Sequence, residues 1–330
     1  MNIFPRSLLA VACAMSCQTL YAAEQLLPTV TVTADFREAE ALKTANSISV
    51  IDAQAISRRE AKHLDQLLNT APNVNYSAGA SRGRFIQVRG IGERSQFKDP
   101  LDSSVGMIID GIDYSGIGLA SVLFDVQQIE ILRGPQGSLF GRNATSGVVN
   151  YHTIKPQPHF ESRIDVTLAD DNYQSLQGVI NLPLHERWSV RLAAAIEQQD
   201  GLLEFASGSA SSNDGKQYNN LDMSSYRVSS LWKPNDDWSW WASYEYYRNQ
   251  GSGNFPAVDY DTPLLIDTVG ETDLVMHSVR SRLQWQMTAD LDLTYIAGHS
   301  DMTRDQLWDG DGNSPVGSET NSAIYHQSNH

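Results

Sequence analysis

The sequence predicts an α+β domain followed by antiparallel strands of a transmembrane β-barrel. Three observations carry the prediction. Up to about residue 156 the chain mixes short apolar runs, helical spacing and glycine turns, whereas from Phe160 onward apolar and polar residues alternate with period two. The alternating runs are about ten residues long, which suits tilted spanning strands better than the five or six residues usual in soluble sheets. Short polar turns at Leu184–Glu186, Pro234–Asp236 and Thr288–Asp290 also take turns with long connections at Ala206–Asn220 and Asn249–Thr272.

The N-terminus reads as an export signal. Arg6 precedes the apolar run Ser7–Met15, and small residues follow at Ala22 and Ala23, giving the charged, apolar and cleavage regions of a secretory leader. The run is far short of a membrane-spanning helix. Cys17 raises a lipoprotein alternative, but Ala14-Met15-Ser16 is a poor lipid-attachment signal. Both cysteines, Cys13 and Cys17, lie in this leader, so the mature chain is expected to hold neither a disulfide nor a thiol nucleophile. No downstream apolar run is long enough for a helical span, so residence in a membrane would require a closed barrel.

Charge and motif content exclude several functions. With 24 Lys+Arg against 39 Asp+Glu, the chain lacks the basic surplus that phosphate neutralisation requires, so no nucleic-acid partner is expected. There is no Gly-x-Ser-x-Gly elbow, and the eight histidines show no metal-ligand spacing. Asp309–Asn313 begins like a calcium loop, but Ser314 and Thr320 stand where Gly and Glu are needed. No catalytic residue, metal or cofactor is expected.

Within the first domain, Leu27–Ala34 is β-branched and alternating, with Pro28 holding its start extended. With no partner strand nearby in sequence, it suits addition to another protein's sheet edge; the plainer reading is the first strand of the domain. Ile48–Ile51 reads as a strand and Asp52 as a helix N-cap. Ala61–Asn69 carries Leu64, Leu67 and Leu68 on one helical face. Phe85–Gly90 is a strand, Val105–Ile109 runs into an Asp110-Gly111 turn, and Val126–Leu132 is either helix or strand before the glycine-rich stretch Gly134–Gly147.

In the second region, Ile164, Val166 and Leu168 oppose Arg163, Asp165 and Thr167. Trp188, Val190, Leu192, Ala194 and Ile196 oppose Ser189, Arg191, Ala193, Ala195 and Glu197, and Val279, Leu283, Trp285 and Met287 oppose Arg280, Arg282, Gln284 and Gln286. Seven or eight such strands are expected. Aromatics crowd their ends, including Trp232, Trp238, Trp240, Trp241, Tyr244, Tyr246 and Tyr247, as in an interfacial girdle. A water-soluble β-sandwich shows the same alternation; strand length and the leader favour the membrane.

The run Ile129–Asn150 is the most specific feature. Gly134, Gly137, Gly141 and Gly147 allow sharp turns or close packing, but spacing and the absence of the lysine rule out a phosphate-binding P-loop. This run resembles the end of the plug domain of TonB-dependent outer-membrane receptors, through Glu130, Arg133, Gly134, Pro135, Gly137, Gly141, Arg142, Ala144, Gly147 and Asn150. Upstream, Pro28, Thr29, Val30, Thr31, Val32, Thr33 and Ala34 look like a TonB box, and Arg89, Gly90, Asp110 and Gly111 like internal plug motifs.

The resemblance implies residues 1–22 as signal peptide, 23–40 as a periplasmic segment with the TonB box, 41–156 as plug and 157–330 as the first part of the barrel. It also implies that Arg133 and Arg142 face acidic partners on the barrel wall. The implied partners are TonB, through it the inner-membrane energy-transducing complex, outer-membrane lipid and an extracellular ligand. That ligand is most commonly a ferric siderophore, with cobalamin, haem and glycans as minorities. An extra N-terminal signalling domain is not expected. The family's 22-stranded barrel needs roughly 500 residues, and fewer than about 180 follow Pro156. The barrel is therefore expected to be incomplete and the chain a fragment or truncated product, the alternative being a plug-only periplasmic binding module.

Overall fold

The structure is a computed structural model that describes residues 31–32, 39–40, 43–44, 46–78, 83–93, 103–115, 123–141, 143–201, 220–251, 270–309 and 320–329. The expected signal peptide, the TonB-box residues Pro28, Thr29, Val30, Thr33 and Ala34, the motif residue Arg142 and the acidic stretch from 310 lie outside the described residues.

A five-stranded sheet organises the first domain, in the order β3 (Ser47–Asp52), β9 (Val126–Arg133), β10 (Gly147–Thr153), β7 (Val105–Ile109), β8 (Ile112–Asp113). Only β10 and β7 run parallel. The segment Val126–Leu132, ambiguous by sequence, is a strand because β3 and β10 pair with it on both sides. Its residues Ile129 and Ile131 enter the main core with Leu67, Leu68 and Val149. The β7–β8 hairpin turns on Asp110 (φ 53°) and Gly111 (φ 92°). Both are left-handed, as a tight two-residue hairpin turn requires, and glycine supplies the second at no steric cost.

Asp52 caps α1 (Ala53–Arg58), its Oδ1 accepting from the Ala55 N–H at 2.6 Å. The expected helix over Ala61–Asn69 is shorter, spanning only α2 (Asp65–Leu68). Gln66 Oε1 accepts from the N–H groups of Lys62 and His63 at 2.7 and 3.1 Å, and the Lys62 carbonyl accepts from Leu123 N–H at 2.8 Å. These bonds hold residues 62–63 outside the helix while Leu64, Leu67 and Leu68 stay buried. A separate antiparallel sheet joins β4 (Val74–Ala78), β5 (Gly83–Val88) and β6 (Ile91–Gly92). A short helix, α3 (Gly137–Phe140), interrupts the glycine-rich stretch.

The N-terminal strand corrects one expectation. β1 (Thr31–Val32) has a near partner, pairing antiparallel with β2 (Ala39–Glu40). Two-residue strands are too short to register as period-two patterns.

The second region is one antiparallel sheet of eight strands in sequence order. They are β11 (Glu161–Ala169), β12 (Tyr173–His185), β13 (Trp188–Gln199), β14 (Leu221–Trp232), β15 (Trp238–Gly251), β16 (Glu271–Thr288), β17 (Leu291–Asp309) and β18 (Thr320–Asn329). Among the described residues the sheet is open, with β11 and β18 at its edges.

The first domain packs on the sheet's polar face. On β13, Ser189, Arg191, Ala193, Ala195 and Glu197 are buried, while Trp188 and Leu192 are exposed. On β11, Ile164 and Leu168 are 75% and 74% exposed. A water-soluble sandwich would bury the apolar face and expose the polar one; here the two are exchanged.

The apolar band also runs obliquely. The outward apolar run ends at Leu168 on β11 and at Ala297 on β17. Followed across the register, the row of Leu168 passes Gln174, Gln198, Asp222, Gln250 and Asp273 and arrives at Asp305. The border has therefore dropped eight residues in six strand steps. At ~3.3 Å per residue and ~4.8 Å per strand, a level band requires strands tilted by about 40°, within the range of outer-membrane barrels.

Candidate functional site

Buried charge concentrates where the first domain meets the sheet. Asp110 is placed by its turn, and its carboxylate accepts from the Thr153 N–H at 3.0 Å, Thr153 Oγ1 at 2.8 Å, Lys155 Nζ, and Arg280 Nη1 on β16 at 3.0 Å. Burial pushes the carboxyl upward, but the charges of Lys155 and Arg280 and the hydrogen bonds outweigh it, holding it well below the usual range. Burial pulls the Lys155 ammonium down to about 8 against the attraction of Asp110, and the ammonium sits 3.5 Å from the centre of the Trp241 ring. Tyr114, bonded to the Ser278 hydroxyl, has its phenol raised by burial.

Asp125 forms the second anchor. Arg191 of β13 grips it in bidentate fashion, Nε to Oδ2 at 2.8 Å and Nη2 to Oδ1 at 2.6 Å, and spends Nη1 on Glu161 at 2.9 Å. Arg227 of β14 pairs with Glu245 at 3.0 Å, donates to the Asp125 carbonyl at 3.4 Å and lies over Phe124. Glu245 also accepts from Arg280, joining the two anchors. Farther along, His63 Nε2 meets Glu197 at 2.8 Å and Tyr173 donates to the same carboxylate at 3.0 Å.

The wall makes room for these long side chains. One inward row across the sheet reads Arg191, Ser229, Ser243, Arg280, Gly298, and the next Ala193, Arg227, Glu245, Ser278, Ser300. Small residues beside each guanidinium let it reach the domain. At Gly298 a Cβ would lie 2.6 Å from Ile112 Cγ1, so β8 packs directly on the wall backbone. Desolvated pairs of this kind add little net stability, but losing one partner strands a buried charge.

The motif residues expected from the sequence are dispersed over the first domain. Arg89 (φ 54°) and Gly90 (φ 79°) form the exposed turn between β5 and β6. Gly134 (φ 117°) ends β9, Pro135 is exposed, Gly137 opens α3 and Gly141 (φ 80°) closes it. Gly147 is pressed so closely that a Cβ would meet the Leu132 carbonyl at 2.7 Å. Glu130, fully buried, accepts from Gln128 at 2.8 Å and Asn150 at 3.1 Å, with His152 Nε2 also 3.1 Å away. Ala144 lies in a second apolar cluster with Ile108, Leu132, Val148 and Val32 of β1.

Among the described residues Arg133 Nη1 donates to the Pro72 carbonyl at 3.1 Å, inside its own domain. Where the domain meets the described strands, the domain supplies Asp110 and Asp125, and the wall supplies Arg191 and Arg280. The anchoring residues Asp125, Lys155, Arg227 and Glu245 were not singled out by sequence. A usable signal was arginine recurring in mid-strand on the polar face, as at Arg191 and Arg280.

A cleft of about 920 Å³ is lined by Gly111, Phe140, Asn150 and His152 of the domain and by Lys233, Arg282 and Trp285 of the sheet. Among the described residues no group of three His, Cys, Asp or Glu side chains is placed to hold a metal ion.

Comparison with known proteins agrees with this architecture. The family model of the TonB-dependent receptor plug domain matches residues 40–148. The pesticin receptor of Yersinia pestis is 30% identical over 151 residues, covering 44% of this chain and 22% of that protein. The vitamin B12 transporter BtuB of Vibrio cholerae is 27% identical over 179 residues, covering 52% and 28%. The solved ferric yersiniabactin uptake receptor FyuA from Yersinia pestis shares the fold, with a TM-score of 0.70 at 17% identity over 86% of this chain and 44% of its own. The matched stretches thus take up less than half of each relative's length. These relatives are receptors and transporters, not enzymes. Residues 40–148 match a TonB-dependent receptor plug domain, and the chain is similar to receptors of that family over the shares given.

Proposed function

We propose that the chain supplies the plug and wall strands of an outer-membrane receptor for energised uptake of a scarce ligand, most specifically a ferric siderophore. In this reading residues 1–22 direct export and are cleaved, 23–40 carry the TonB box, 41–156 form the plug and 157–330 contribute wall. The observation that carries it is a plug ion-paired to the polar face of a sheet whose opposite face is apolar. Such a sheet is suited to lipid on one side and to a blocked passage on the other. Ligand bound from outside would favour presentation of Pro28–Ala34 to TonB, which would add it as a strand. Force transmitted from the inner membrane would then rearrange the plug. The iron chelate is favoured by the name of FyuA, an uptake receptor for ferric yersiniabactin.

The test is uptake of radioactive iron, presented as a panel of ferric siderophores, by cells producing the receptor, with labelled cobalamin as the competing ligand. At least one chelate is expected to accumulate, and deleting Pro28–Ala34 should abolish accumulation while sparing surface binding. Uptake that survives the deletion would remove the TonB-box assignment, and cobalamin uptake alone would remove the siderophore.

A further inference from the structure

We infer that the cleft between the first domain and the short-turn end of the sheet is a binding site for a small hydroxylated monocarboxylate, with Arg282 holding the carboxylate. The inference goes beyond the uptake reading and does not depend on it.

Arg282 stands apart from its neighbours on the inner face of the wall. Arg191, Arg227 and Arg280 each meet a carboxylate at 3.0 Å or less. Arg282 is half-buried and lines the cleft. Among the described residues it pairs with no carboxylate, and its Nε is buried without a hydrogen-bond partner. The carboxylates nearby, Asp110 and Glu245, are spent on Lys155, Arg227 and Arg280. Burial is the main cause of the lowered Lys155 ammonium, and the charges of Arg280 and Arg282 add to it. A guanidinium set among cations gains most from an outside anion, and its planar fork matches a carboxylate in bidentate fashion. The β7–β8 turn leaves it reachable. A Cβ built at Gly111 would lie 3.4 Å from Arg282 Nη2, so any side chain there would crowd the guanidinium.

From Arg282 toward the turns the inner face is first neutral and then acidic. Ser239, Gln284 and Thr294 form one row across three strands, about 7 Å from Arg282 along β16. Ser239 donates to Gln284 Oε1 at 3.2 Å, which leaves the Gln284 amide N–H groups to donate to a hydroxyl. Farther out, Asp237, Asp290 and Asp292 outnumber Lys233 along the cleft. One unpaired guanidinium behind an acidic mouth suits a single carboxylate and opposes phosphate dianions and polycarboxylates. The volume of about 920 Å³ is that of a small-molecule site.

The experiment is equilibrium dialysis of radiolabelled gluconate against the full chain in detergent micelles, with unlabelled glucose and citrate as competitors. Saturable binding is expected, weakened at least tenfold by Arg282→Gln and roughly threefold by Gln284→Ala. Arg163→Gln, on the exposed strand β11, should bind as wild type does. Gln284 is exposed and its described side-chain bond is to Ser239, so its truncation leaves the fold intact and tests the site should Arg282→Gln misfold. Absence of saturable binding, or wild-type affinity in both cleft variants, would overturn the site. Displacement by glucose as effective as by unlabelled gluconate would overturn the role of the carboxylate. Stronger displacement by citrate would overturn the preference for a single charge.

Discussion

Asp110 occupies a left-handed turn position beside Gly111, and its carboxylate serves Thr153, Lys155 and Arg280 at once. Asp110→Asn would keep the turn and remove the charge, leaving Lys155 without its carboxylate and Arg280 with Glu245 alone. Unfolding in denaturant should show a loss of about 3–5 kcal/mol. The pH dependence has a definite sign. The folded carboxyl is depressed below its usual 3.8, so its contribution is complete above about pH 4 and is lost as pH falls below that value. The gap between wild type and Asp110→Asn should therefore narrow in acid. At this scale the sequence was half legible. An Asp-Gly pair after an apolar run announces a turn, but Arg280 lies 170 positions away and nothing local points to it. The bond from Arg133 to the Pro72 carbonyl is equally illegible, because its partner is backbone 61 positions away.

Among the elements, β10 depends on what its first residue lacks. A methyl group at Gly147 would press on the Leu132 carbonyl, which is backbone and cannot rotate away. Gly178 on β12 has nothing within 4 Å of a built Cβ. Gly147→Ala should cost about 1–3 kcal/mol, while Gly178→Ala should be neutral within about 0.5 kcal/mol; urea unfolding of both variants measures the contrast. Strands of the eight-stranded sheet were readable because their period-two patterns are long. α2 was overread because Leu64, Leu67 and Leu68 fit a helical face whether or not the preceding turn is helical, and Gln66 Oε1 takes the N–H groups of Lys62 and His63 just ahead of the short helix. The β1–β2 pairing was missed because its strands are only two residues each.

For the whole molecule, periodicity, strand length and the glycine motif together gave the fold class. They could not say which face of the sheet meets the plug, because alternation is symmetric between the two until a partner is present. Burial resolves it. The polar face carries the arginines that hold the plug, and the apolar face looks outward in a band that is level when the strands tilt by about 40°. The two halves of the design are linked, since a wall that spends its polar face on the plug has only apolar surface left for its surroundings. Among the described residues there are eight strands of such a wall, in a sheet open at β11 and β18.

The most direct test places single cysteines at Leu192 and Val228, both outward, and at Glu186 in a short turn, with Cys13 and Cys17 replaced. Each is exposed in the structure, so folding alone protects none of them. In lipid vesicles, fluorophores at Leu192 and Val228 should be quenched by nitroxides on the acyl chains, and the unlabelled thiols should resist a water-soluble maleimide that modifies Glu186→Cys freely. Equal reaction at all three positions, without quenching from the bilayer, would contradict a lipid-facing wall.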